Sequence, residues 1–308
     1  MPLALENISS AQLLLLPRDR TVFFLPVGPL EDHGPHLPLG LDGLEAKRLS
    51  NLAAERMEKE MPGWIGVIMP HAPLGIDSNT TSLAFTVRPH VLRDWLVDIC
   101  KPLAHSGFCY FVCFSGHSGP KQLTAIEEAG YIIQQKFRRN WITRLSGMQL
   151  RSPALLSANS ALTSGKDFWL STLWSDPVEH GGQRDTAVAL ALAPSQVDSM
   201  YHSLPENPRQ PSRWSRLYRR LRKTLAGYWG SPGKATAQNG ESILLAQIND
   251  LFPKLRSVWE GSVNPRKLFR SWYSLLPTNR TFFRAWLMFG ILLLLAGFWI
   301  YLEGYMLY

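Results

Sequence analysis

Glu31, His33, His36 and Asp42 fall within LPVGPLEDHGPHLPLGLD, residues 25–42, directly after an apolar run. Carboxylates and imidazoles are donors for zinc, manganese or iron, and a carboxylate can bridge two ions. The i, i+2 spacing of Glu31 and His33 turns both side chains to one side of an extended segment. Two cations about 3.5–4 Å apart would supply a hydroxide nucleophile and polarise a carbonyl, the chemistry of metal-assisted hydrolysis. The plainer alternative is that these histidines only brace a loop rich in proline and glycine. A further candidate, His117, stands in SGHSGP at the end of another apolar run.

For such groups to meet, the runs before them must be neighbouring strands, because α/β sheets gather ligands at the carboxyl ends of strands. Thr21–Val27 (TVFFLPV), Ile65–Met69 (IGVIM) and Gly107–Phe114 read as buried strands. Helical periodicity covers Gly43–Lys59, with Leu49, Leu52, Ala53 and Met57 on one face. Further helices are expected at Pro89–His105 and from about Pro120 to Arg138, and short strands at Ser82–Val87, Trp141–Leu145 and Pro153–Leu156. Strands apolar on both faces and alternating with helices predict an α/β layered fold with a largely parallel sheet. Cys109 and Cys113, four apart in GFCYFVCF, read as small core residues on one strand face, and three cysteines give no disulfide framework.

The chain has 308 residues, 45% of them apolar, and a net charge of +8. Between Arg209 and Lys223 stand six arginines and one lysine with no acid. There Trp214, Leu217, Tyr218, Leu221 and Leu225 recur at helical spacing. A basic amphipathic segment over 209–229 fits either a helix lying on anionic lipid or one packing on the domain with a solvated basic face. Nucleic acid is disfavoured as a partner, since nothing but charge supports it. From Trp286 to Leu302 no residue is charged. The run from Phe282 to Leu302 would span about 32 Å as a helix. Arg266, Lys267, Arg270, Arg280 and Arg284 precede it, whereas only Glu303 follows. The expectation is one domain over 1–260, a tether over 261–281, a transmembrane helix at 282–302 and a tail at 303–308. The N-terminus has no signal-peptide layout, so the domain would face the cytoplasm from a single-pass C-terminal membrane anchor.

LPVGPLEDHGPHLPLGLD closely resembles the opening motif of the creatininase family, LPVGSxEQHGPHLPxxTD. SGHSGP is similar to that family's GHGGN loop, EHGGQRDTAVALALAP to its HAGExETSxxLxxxP segment, and YWGSPGKATAQNGESIL to its GVxGDPxxAxAExGExL stretch. The resemblance spans roughly residues 20–255. It implies a three-layer α/β/α sandwich with a largely parallel sheet, and two divalent metal ions (Zn, Mn or Fe). It further implies hydrolysis of amide C–N bonds in cyclic amides, formamides or small peptides, in a homo-oligomer. By position, Glu31 would hold one metal together with His117, His33 the other, and Asp42 would bridge them. Asp185 would be the remaining ligand, His180 the proton carrier near the leaving nitrogen, and His36 a support for the loop. Where the family has ExET, this chain has Gln183, Arg184, Asp185 and Thr186, and Pro120 replaces the asparagine of GHGGN. PLGIDSNTTSLAF lacks the Glu-His pair of many relatives, so creatinine itself is not the expected substrate.

Two readings follow. The chain is a membrane-anchored metal-dependent amidohydrolase acting on a small-molecule amide, or a catalytically degenerate relative serving as a binding or scaffolding subunit at the membrane. A serine-hydrolase elbow at Ser118 is disfavoured because position 120 is proline where that turn needs glycine.

Overall fold

The computed structural model describes residues 1–76, 85–138, 154–157, 179–207, 226–263 and 280–306. Five strands, β1 (Leu3–Ala4), β2 (Thr21–Val27), β3 (Ile65–Ile68), β4 (Tyr110–Ser115) and β5 (Ala154–Ser157), form one sheet in the order β1-β3-β2-β4-β5. Every pairing is parallel. Helices α1 (Ser10–Leu15), α2 (Leu41–Glu60), α3 (Pro89–His105), α4 (Pro120–Arg138), α5 (Gln183–Leu192), α6 (Ala237–Trp259) and α7 (Arg280–Met306) complete the described elements.

The central strand β2 explains the layering. It is buried along its whole length, so both of its faces must be apolar. Val22 and Phe24 point into a core shared with Leu49, Ala53 and Met57 of α2 and with Leu244, Leu251 and Leu255 of α6. Phe23, Leu25 and Val27 point the other way, against Leu92, Leu96 and Cys100 of α3 and Ile126 and Ala129 of α4. The period of two places each phenylalanine in a separate core, and burying one stabilises by about 1.5–3 kcal/mol. The result is a mostly parallel sheet flanked by helices on both faces.

Three expectations are corrected. Helix α2 starts at Leu41, which puts Asp42 in its first turn, where the helix dipole favours an anion. Cys109 joins the α2 and α6 core while Cys113 joins the α3 and α4 core, because Cys109 precedes the paired part of β4. None of the three cysteines forms a disulfide. The membrane span at 282–302, with the single-pass, cytoplasm-facing localisation built on it, is also overturned: among the described residues no helix is long and apolar enough to cross a membrane.

The strand expected at Trp141–Leu145, most of Ser82–Val87, most of the basic segment 209–229 and most of the tether lie outside the described residues; Phe85–Val87 are described and not strand.

Candidate metal centre

Strands β2 and β4 are neighbours, so the loops after them open at the same rim of the sheet. The loop after β2 carries Glu31 and His33, and the loop after β4 carries His117. Both loops leave their strands through a glycine, and both glycines press on Asp42. A Cβ on Gly28 would sit 2.7 Å from the Asp42 carbonyl carbon, and one on Gly116 would run into the Asp42 carbonyl itself. This close approach seats the first turn of α2 against two strand ends. Gly116→Ala is therefore expected to destabilise the fold by about 3 kcal/mol, as overpacking does. It should also displace Asp42, and urea unfolding of the variant checks the first effect.

The carboxylates and imidazoles converge. Glu31, His33 and Asp42 are 1%, 2% and 5% exposed. His117 Nδ1 lies 3.0 Å from Glu31 Oε1, and His33 Nε2 lies 3.6 Å from the same oxygen. Asp42 turns one oxygen to each imidazole: Oδ1 is 3.4 Å from His33 Nε2 and Oδ2 is 3.8 Å from His117 Nδ1. Asp42 Oδ2 is buried and accepts no hydrogen bond. A buried carboxylate oxygen without a donor is costly, and a divalent cation between these atoms removes that cost. The donor atoms of Glu31, Asp42 and His117 lie within 4.8 Å of one another, as do those of Glu31, His33 and His180. The residues present fit divalent cations.

Backbone carbonyls set the tautomers. His33 Nδ1 is 3.2 Å from the Glu31 carbonyl oxygen, and His180 Nε2 is 2.8 Å from that of Asp32. A carbonyl only accepts, so each of these nitrogens donates, leaving His33 Nε2 and His180 Nδ1 as the free nitrogens of the neutral rings. His180 is held in a stack, 4.4 Å from the His33 ring and 4.8 Å from Trp229, and pairs its backbone with that tryptophan. The Asp32 carboxylate accepts from the Gly34 backbone at 2.8 Å, which turns the loop and presents the Asp32 carbonyl.

Charge state follows from burial and neighbours. Burial opposes a charged His33, but Asp42, Asp185 and Glu31 outweigh it and push its pKa up to about 10. Burial also opposes charge on His117, and its bond to Glu31 nonetheless raises it. Glu31 is held far below the usual carboxylate range: burial would raise it, but the His117 bond and three nearby imidazoles win. Burial, together with the charge on His33, lowers His180 and keeps it neutral. His36, lowered to about 4 mainly by burial, sits behind the loop with Nε2 2.8 Å from Thr186 Oγ1, the loop-bracing place expected of it.

Asp185 stands apart from both donor groups. Its Oδ2 accepts from the Gly181 backbone at 2.8 Å, and its Oδ1 takes Arg184 Nη1 at 2.9 Å. Arg184 also grips the buried Glu45 carboxylate with both terminal nitrogens, through Nη1 at 3.2 Å and through a closer Nη2 contact. Glu179 caps α5, accepting from Gln183 N at 3.1 Å and from Arg184 N. Glu45, Arg184, Glu179 and Trp229 did not stand out in the sequence, since their roles depend on partners that spacing does not reveal.

A parallel sheet with flanking helices that gathers carboxylates and imidazoles at two adjacent strand ends has the layout of a metal-dependent hydrolase. The chain belongs to the creatininase family: the creatininase (creatinine amidohydrolase) family model matches residues 6–254. Among solved structures it is similar to a creatininase labelled Mn, at 21% identity and a TM-score of 0.59, covering 84% of this chain and 99% of that one. It is similar to a mutant creatininase of Zn-Zn type, at 21% identity and a TM-score of 0.60, with the same coverage. A provisionally assigned creatinine amidohydrolase from Bacteroides fragilis NCTC 9343 gives 21% identity and a TM-score of 0.57, over 85% of this chain and 98% of that one. No curated protein matches the chain in sequence.

Proposed function

We propose that the chain is a metal-dependent amidohydrolase that cleaves a C–N amide bond in a cyclic amide, a formamide or a small peptide. The observation that carries this reading is Asp42 lying between His33 and His117 with one oxygen toward each, beside Glu31. Glu31, Asp42 and His117 would hold one cation, and His33 with Asp42 and Glu31 the second. Such cations lower the pKa of water and polarise a carbonyl oxygen.

The chain's own residues supply the rest. His180 donates its Nε2–H hydrogen bond to the Asp32 carbonyl and so receives a proton at Nδ1, from the attacking water, and returns it to the leaving nitrogen. Its low basicity makes that return favourable. The stack between His33 and Trp229 fixes the ring plane, and Asp32 fixes which nitrogen is free. Residues 1–260 act as one catalytic unit in this reading, and the family resemblance favours self-association into a homo-oligomer, checked by analytical ultracentrifugation.

The test is turnover. Protein loaded with Mn²⁺ or Zn²⁺ is offered cyclic amides, formamides and short peptides. The expected result is cation-dependent hydrolysis of one class, with His180→Ala lowering kcat about 10²–10⁴-fold, the usual worth of a positioned acid–base group. Cation binding with no turnover across the panel would favour the binding-subunit reading, which the replacement of the ExET carboxylates by Gln183 and Asp185 supports.

A further inference from the structure

The guanidinium of Arg184 occupies an unusual place. It links α2, which carries Asp42, to α5, which carries Asp185, by holding Glu45 and Asp185 at once. Glu45 is 4% exposed and lies on the same helix as Asp42, one turn on. Asp185 is near enough to His33 and His180 for its charge to act on both rings. Even so, Arg184 and the Gly181 backbone take up one carboxylate oxygen each. An aspartate is one carbon shorter than the glutamate of the resembled motif, so while it holds Arg184 its carboxylate reaches less far toward a cation beside His33.

Resting on the amidohydrolase reading, we propose that Arg184 is a positioning residue that withholds Asp185 from the cation beside His33. A cation beside His33 would then have one protein ligand fewer, which would leave a position for a substrate carbonyl or amide oxygen. Catalytic metal sites characteristically keep such an open position, whereas closed ligand sets are structural. Arg184 therefore trades tightness of the second cation for access to it. The rigid fork of the guanidinium suits this task, because it engages two carboxylates in fixed directions.

The experiment measures cation affinity by titration calorimetry with Mn²⁺, so no substrate is needed. Removing Arg184 alone would strand the buried Glu45 carboxylate and alter the local charge. The release is therefore made in Glu45→Gln/Arg184→Met, which leaves the net charge unchanged. The expected result is second-site affinity at least tenfold tighter than in the unaltered chain, with that gain abolished by adding Asp185→Asn. In the otherwise native chain Asp185→Asn should cost no more than about threefold, the effect of a nearby charge alone. Should the charge-neutral pair fail to fold, Arg184→Lys keeps the charge without the fork and should shift affinity in the same direction, again only while Asp185 is present. The proposal is overturned if releasing Arg184 leaves second-site affinity unchanged. It is equally overturned if Asp185→Asn weakens the native chain tenfold or more, since Asp185 would then already be a ligand. An unaltered chain that binds no Mn²⁺ at all would instead bring down the amidohydrolase reading along with it.

Discussion

Asp42→Asn is expected to weaken cation binding by at least about 100-fold and to remove most of the thermal stabilisation that cations confer. A ligand present at a thousandfold its Kd stabilises a folded protein by about 4 kcal/mol, and a 100-fold loss of affinity should cut that increment to about 1.4 kcal/mol in this variant. Asp42 is singled out because its two oxygens face different imidazoles and one of them accepts no hydrogen bond. The amide keeps the shape, and the contacts of Gly28 and Gly116 are with the Asp42 backbone and Cβ, so the seat of α2 is retained. What is lost is the charge that two cations would share. Melting curves with and without Mn²⁺ check this. A full cation-induced shift in Asp42→Asn would show that the bridging assignment is mistaken.

Cation binding is also expected to release protons and to tighten about tenfold per pH unit between pH 7 and 9. In the cation-free protein His33 keeps its proton up to about pH 10, because Asp42, Asp185 and Glu31 overcome the effect of burial. A cation must displace that proton, since only neutral imidazole is a ligand. The raised pKa of His117 adds a further fraction in the same direction. The stability consequence has a definite sign. A group whose folded pKa lies above its unfolded value contributes fully below the unfolded value, near pH 6.5, and loses that contribution as pH rises through about 10. The cation-free protein should therefore weaken toward alkaline pH, while the cation-loaded protein, with its affinity rising, should not. Calorimetry in two buffers of different ionisation enthalpy counts the protons. About one or more per pair of cations at pH 8 is expected; none would contradict the charge state assigned to His33.

The part of this centre legible in the sequence was the part governed by short-range rules. Glu31, His33 and His117 follow apolar runs that could be assigned to a parallel sheet, and loops after adjacent parallel strands share a rim. Asp42 was recognised as a candidate but placed before its helix rather than in it, because Gly40 and Gly43 obscure the start of α2. The glycine seat at Gly28 and Gly116 was not visible, since it depends on three segments packing together. Asp185 was carried over from a motif, yet what it touches is decided by Arg184 and by Glu45, 139 residues away in sequence from that arginine. The C-terminal apolar run reads as a membrane span from its composition, yet among the described residues no helix is long and apolar enough to cross a membrane. The two-residue strand β1 is too short to leave a pattern at all.

The central claim is that Glu31, His33, Asp42 and His117 hold a pair of divalent cations. Anomalous diffraction from crystals grown with Mn²⁺ or Zn²⁺, collected on either side of the metal edge, tests it most directly. Two peaks are predicted, one within coordinating distance of Glu31, Asp42 and His117 and the other within reach of His33. Crystals with no anomalous peak near these four side chains, at cation concentrations that load other sites on the protein, would contradict it.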